Sequence, residues 1–133
     1  MARFLADSTV LIHLFRRQPW AREWLADAIA AGHDVGVCAI NVAEVYTGAH
    51  EHERPEWAAL FQGLLYWPVT LEAAEAAGRR RYDLARVGTQ VHLADALVAA
   101  VAERAGATVA TGNIRDFEAY GVAVLALSSE PRV

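Results

Sequence analysis

Lysine is missing from the sequence: all twelve basic residues are arginine. Arginine is the better planar, two-pronged partner for phosphate, although the composition of a genome can produce the same bias, as it can the many alanines. Sixteen acidic residues outnumber the basic ones, for a formal net charge of -4. That balance argues against a plain nucleic-acid coating protein and leaves room for an enzyme whose carboxylates hold cationic metal. The single cysteine, Cys38, excludes an internal disulfide and a cysteine-rich zinc site, and it points to a cytoplasmic chain. No apolar run reaches the roughly 18 residues of a membrane span, so no membrane association is expected. The start lacks the basic region and long apolar core of a signal peptide, and Asp7 interrupts its short apolar opening. Walker and dinucleotide glycine patterns are absent. The five histidines have neither zincin spacing nor cysteine companions. There is no repeat, linker or low-complexity tract.

What remains is a globular balance: 55% of the 133 residues are hydrophobic and 21% charged, enough for one domain with a real core. The pattern predicts strands at Arg3–Ala6, Val35–Cys38, Thr108–Thr111 and Val122–Leu127. Helices are expected over Ser8–Phe15, Pro19–Ala31, Asn41–Gly48, Glu53–Tyr66, Thr70–Ala85 and His92–Ala105. Trp67–Val69 read as a brief extended connection, and Asn113–Phe117 as a loop or helical turn. Apolar strands separated by helices predict a three-layer α/β/α domain over residues 1–133 with a mainly parallel sheet flanked by helices. The polar tail, 128–133, is expected to fray.

Four acids fall at telling places. Asp7 lies just beyond the first strand, Glu44 on the helix after the second, and Asp116 just after the third. Asp95 lies in the first turn of the helix from His92. Open parallel sheets bind ligands beyond the carboxyl ends of their strands, so these residues could converge on one edge. Taken singly, each has an ordinary explanation: Asp7 as a helix cap, Asp95 at a helix start, Glu44 on a solvated face, Asp116 in a turn. Together they would repel one another without a counter-charge. Magnesium or manganese, hard ions that prefer carboxylate and water oxygens, would supply it. One ion could activate the attacking water, and a second about 3.5–4 Å away could stabilise the leaving oxygen. Ser8 and Thr9 could donate hydrogen bonds there. Thr111 and Asn113 could orient Asp116 or contact a phosphate.

Four segments carry a resemblance in one order along the chain. Phe4-Leu5-Ala6-Asp7-Ser8-Thr9-Val10-Leu11-Ile12 resembles the opening of a PIN-domain nuclease. Ile40-Asn41-Val42-Ala43-Glu44-Val45-Tyr46-Thr47-Gly48 resembles its second acidic motif. His92 to Ala100 resembles the third, and Thr111-Gly112-Asn113-Ile114-Arg115-Asp116-Phe117 the fourth. The length and short tail are similar to those of the VapC toxins of type II toxin–antitoxin pairs. The resemblance implies that Asp7, Glu44, Asp95 and Asp116 are the catalytic and metal-holding acids, with Mg2+ or Mn2+ as cofactor. It further implies an endoribonuclease that cuts structured RNA, a tRNA or an rRNA, and so inhibits translation. A homodimer and a VapB-like antitoxin whose tail fills the active-site groove belong to the same expectation. Ser8-Thr9 replaces the commoner Thr-Ser order, a small departure between two hydroxyl residues. A PIN nuclease of RNA processing, or a silent module that binds protein or RNA, are the alternatives.

The arginines are candidate RNA contacts: Arg79, Arg80, Arg81 and Arg86 as a patch, Arg16 and Arg17 from the first helix, and Arg115 beside Asp116. On a helix, consecutive residues fan round, so all three of the run cannot face one partner, while two could contact RNA phosphate and the third pair elsewhere. Trp20, Trp24, Trp57, Phe61 and Tyr66 suit the core, a dimer contact or an antitoxin groove.

Overall fold

The structure, a computed structural model, describes residues 1–128. Its centre is a parallel sheet whose strands stand in the order β3-β2-β1-β4-β5. These are β1 (Arg3–Ala6), β2 (Asp34–Cys38), β3 (Leu65–Trp67), β4 (Thr108–Thr111) and β5 (Val124–Ala126). The helices are α1 (Ser8–Phe15), α2 (Pro19–Ala30), α3 (Ala39–Gly48), α4 (Arg54–Gln62), α5 (Leu71–Arg86), α6 (Leu93–Ala105) and α7 (Arg115–Glu118). A 3-10 turn at Glu51–Glu53 precedes α4. The expected tail lies outside the described residues from position 129 onward.

Strand alternation creates the layers. Successive side chains point to opposite faces, so Leu5 and Val109 join one core while their neighbours Ala6 and Ala110 join the other. The first core packs α5 and α6 on the sheet; the second packs α1 to α4 with Val35 and Val37. Helix α6 is the innermost helix, with Ala96 and Val98 to Ala102 all buried. Its alanines let α5 approach closely, with Ala73 and Ala77 buried on the facing helix. The three-layer, mainly parallel expectation therefore holds, and all four strand pairings among the described residues are parallel.

One element departs from the sequence reading. Glu53–Tyr66 is not one helix: α4 ends at Gln62, and Leu65–Trp67 turn into an edge strand. The apolar spacing of Leu60, Phe61, Leu64 and Leu65 is compatible with a helix. Pairing with β2 decides otherwise, in the register Gly36 to Leu65 and Cys38 to Trp67. Gly36 makes this possible, because a Cβ there would stand 2.6 Å from Trp67 Cζ3 and 2.9 Å from the Leu65 carbonyl oxygen. The last strand is also shorter than expected, Val124–Ala126.

Candidate active site

The carboxyl ends of β1 and β4 meet at the candidate site. Asp7 follows β1, and its N–H donates to the Ala110 carbonyl at 2.9 Å, extending the ladder by one residue. The residue is 4% exposed. A carboxylate so placed needs hydrogen bonds, and two hydroxyls provide them on one oxygen. Thr111 Oγ1 donates to Asp7 Oδ2 at 2.9 Å and Thr9 Oγ1 at 3.1 Å. Each hydroxyl has one proton, so the 3.3 Å contact between these two hydroxyls carries no hydrogen bond while both protons go to Asp7. Their lone pairs accept backbone donors instead: the Gly112 N–H to Thr9 Oγ1 at 2.8 Å and the Asn113 N–H to Thr111 Oγ1 at 3.0 Å. This network ties the β4–α7 turn to the start of α1. It leaves Asp7 Oδ1 without a side-chain partner among the described residues.

Thr111 thus orients Asp7, not Asp116 as the sequence suggested. The reason is its place on β4, beside β1. Asn113 acts through its backbone: besides donating to Thr111, its carbonyl accepts the Asp116 N–H at 3.3 Å. The Ser8 side chain lies close enough to Glu44 to favour its charged form, a connection the sequence did not disclose. Asp7 occupies the N-cap position of α1 but makes no side-chain cap hydrogen bond, so the ordinary capping explanation does not account for it.

The four acids act on one another. Burial raises the Asp7 pKa above its usual value against the hydrogen bonds from Thr111, Ser8 and Thr9, and Asp116 adds to the rise. Glu44, at the solvent side of α3, is raised by desolvation and then by Asp7 and Asp116. Asp95, in the first turn of α6, is pushed up to about 6 by desolvation, then by Asp116, Asp7 and Glu44, with His92 opposing. Carboxylates from α3, α6, α7 and the end of β1 therefore share one electrostatic environment, and no arginine counts among the groups acting on them.

The donor set consists of hard oxygens, which suits a divalent cation such as magnesium or manganese. Among the described residues, however, no three His, Cys, Asp or Glu side chains stand together as a ready cage. The set fits an ion held by one or two carboxylates with water completing its shell, the usual magnesium arrangement. It does not fit a closed protein cage.

The arginine candidates scatter, as their spacing requires. Arg79 pairs with Glu75 at 3.3 Å. Arg80 donates to the Tyr120 carbonyl at 3.0 Å, and Arg81 to the Val91 carbonyl at 2.9 Å. Arg86 lies over the Tyr82 ring, 3.9 Å from its centre. Arg16 shares a cleft with Glu44, Arg17 borders an apolar groove, and Arg115 is exposed at the start of α7.

That apolar groove is the most voluminous of the described cavities, about 680 Å3, and it lies away from the acids. It is bordered by Leu14, Phe15, Leu25, Ile29 and Leu60 of α1, α2 and α4. Beside it, Phe15 stacks on Trp57 at 4.2 Å. Trp24 instead packs edge-on against Phe4. Sequence reasoning also missed Asn41, whose Oδ1 accepts from the Cys38 N–H at 3.2 Å and from its thiol at 3.3 Å. This caps α3 and holds the helix that carries Glu44. The N-x-x-E spacing after a strand was the available signal.

The fold is thus a parallel sheet with four acids gathered at its carboxyl edge. The chain belongs to the PIN domain family, which it matches over residues 4–123, and within that family to the VapC ribonuclease group. It is 30% identical over 118 residues to ribonuclease VapC19 of Mycobacterium tuberculosis, covering 87% of this chain and 93% of the relative. FitAcB from Neisseria gonorrhoeae is 31% identical with a TM-score of 0.74, covering 91% of this chain and 95% of that one. DNA-bound VapBC from Salmonella typhimurium shares the fold at a TM-score of 0.83 and 24% identity, covering 95% and 98% of the two chains. Family membership makes the chain a nuclease by class. No helix among the described residues is long and apolar enough to cross a membrane.

Proposed function

We propose that the chain is a cytoplasmic, magnesium- or manganese-dependent endoribonuclease toxin. Its substrate is structured RNA, a tRNA or an rRNA, and cleavage inhibits translation. The observation that carries this reading is the gathering of four carboxylates at the carboxyl edge of the sheet, where burial first and neighbouring carboxylates second, Asp116 among them each time, raise Asp7, Glu44 and Asp95. Such a cluster is costly without a cation and works with one. Asp7 would hold the ion, with Asp95, Asp116 or Glu44 completing the protein's share. A bound cation supplies charge neutralisation and Lewis acidity toward the phosphodiester.

The chain's own residues do the rest. Thr9 and Thr111 fix Asp7 through Oδ2, so that Oδ1 stays available. Ser8 favours the charged form of Glu44. Asp95, protonated below about pH 6 in the metal-free site, is the carboxyl group best matched to proton transfer near neutrality. Cleavage is expected to leave 5′-phosphate and 3′-hydroxyl ends.

A VapB-like antitoxin is the proposed inhibitor. The apolar α1–α2–α4 groove, edged by Arg17, Arg22, Glu23 and Glu56, has the character of a seat for an amphipathic segment. Solved relatives named as VapBC complexes support this partner. Homodimerisation rests on the family resemblance, and light scattering measures it. The test of function is to incubate purified protein with total cellular RNA and map new 5′ ends. Discrete ends that need Mg2+ or Mn2+, vanish with EDTA and vanish in folded Asp7→Asn are expected. No new ends from folded, antitoxin-free, metal-supplied protein would overturn the reading.

A further inference from the structure

A polar cavity of about 450 Å3 opens between α5 and the loop that leads into α6. Arg81, Tyr82, Thr89, Gln90 and His92 are among its walls. It lies beside the acids through α6: His92, in its wall, is the N-cap of that helix, and Asp95 stands three residues on, in the helix's first turn. The loop is built to face α5. Gly88, at φ 81°, takes the left-handed turn that other residues resist, and the Thr89 N–H returns to the Leu84 carbonyl at 2.9 Å.

Arg81 Nε donates to the Val91 carbonyl at 2.9 Å, which pins the guanidinium at the cavity. Its terminal nitrogens have no hydrogen-bond partner among the described residues. Tyr82 is 59% exposed, and the Arg86 guanidinium covers one side of its ring. No aromatic ring among the described residues stacks on it. A forked cation beside an open ring complements a phosphate and a base together. An acidic peptide would use the arginine and leave the ring unused. The volume is in the range of small-molecule sites and suits one nucleotide, not a duplex.

We infer that this cavity seats a nucleotide flanking the scissile phosphodiester, with its phosphate on Arg81 and His92 and its base against Tyr82. The inference rests on the ribonuclease reading above. It also answers a physical difficulty of that reading. The acidic cluster repels every phosphate except one bound to a cation, and Arg81 offsets that repulsion at the neighbouring phosphate.

The test measures binding without cleavage. A fluorescent, fully 2′-O-methylated single-stranded oligoribonucleotide is titrated in EDTA against the full chain, Arg81→Gln, Tyr82→Ala and the distant control Arg104→Gln. Both cavity variants are expected to bind roughly tenfold more weakly, the loss of one charge-assisted or stacking contact, with the control unchanged. Backbone amide resonances of Thr89, Gln90 and His92 should move when a 5′-phosphorylated dinucleotide is added. Tyr82→Ala removes only an exposed ring, so its binding stays interpretable if Arg81→Gln fails to fold. Wild-type affinity in folded cavity variants, or a polyglutamate peptide moving the same resonances at lower concentration, overturns the inference. Binding with these shifts but no cleavage under metal would instead sink the nuclease reading, and would leave the cavity a nucleotide site with no scissile bond beside it.

Discussion

Asp7 is held where stability and activity pull in opposite directions. Burial of its carboxylate disfavours the charge that metal binding requires. Asn fits the same space and still accepts from Thr9 and Thr111 through its amide oxygen. Asp7→Asn is therefore expected to match or exceed the wild-type Tm in EDTA, while cleavage falls by on the order of 100-fold or more; thermal melts and rate assays on one preparation check both. Thr111→Val acts differently. It strips Asp7 of its 2.9 Å donor and the Asn113 N–H of its acceptor. A loss of about 1–3 kcal/mol in stability with reduced cleavage is expected, readable by denaturant titration.

Asp95 sets a pH dependence at the same scale. Its folded pKa is about 6 against 3.8 for the free group. Between those values the native protein holds a proton that the unfolded chain has lost. Stability therefore falls as pH rises through this window and returns on acidification. In EDTA the Tm should rise from pH 7 to pH 5. Saturating Mg2+ should stabilise more at pH 7 than at pH 5, because the ion and the proton compete for one cluster. A Tm that drops on acidification in EDTA would contradict the assignment.

At the scale of elements, β3 depends on a glycine in its neighbour. Gly36→Ala would drive a methyl group into Trp67 and the Leu65 carbonyl, so β2 and β3 must separate or Trp67 must move. A destabilisation of about 1–3 kcal/mol is expected, measured by chemical denaturation. Thr70→Ala removes the cap that accepts the Ala73 N–H at 3.1 Å and should cost about 1 kcal/mol.

The same elements explain what the sequence could disclose. Local signals located β1, α1, α2 and α6, because the short apolar run ended by Asp7, the helical spacing of Val10, Leu11, Leu14 and Phe15, Pro19 and the Gly106 stop lie within or next to the segments themselves. β3 escaped because three residues with helix-compatible spacing are decided by a partner some thirty positions earlier. The four acids were legible from their places after strands and at a helix start. The direction of Thr111 was not: its partner Asp7 is 104 residues away, and only strand order makes them neighbours. The cavity at Arg81 was equally hidden, since it depends on a loop folding back over α5.

For the whole molecule, the arrangement of charge matters more than its total. The net -4 conceals an acidic end at the carboxyl edge of the sheet. The arginines occupy flanking positions, several tied to carbonyls or rings of their own chain. The apolar groove is separate from the acids, so partner docking and metal binding can be tested independently. If the proposed antitoxin seats in this groove, substituting Leu25 or Ile29 with Glu should weaken its binding, read by pull-down with the purified candidate, and leave metal binding intact.

The central claim is that the four carboxylates form one cation-binding unit. Calorimetric titration of Mn2+ into the metal-free chain at pH 6, repeated in buffers of different ionisation enthalpy, tests it most directly. Wild type should bind with proton release, since Asp95 is half protonated there, and Asp7→Asn should lose binding at least tenfold. Binding of equal strength in folded Asp7→Asn, or none in wild type, would contradict the claim.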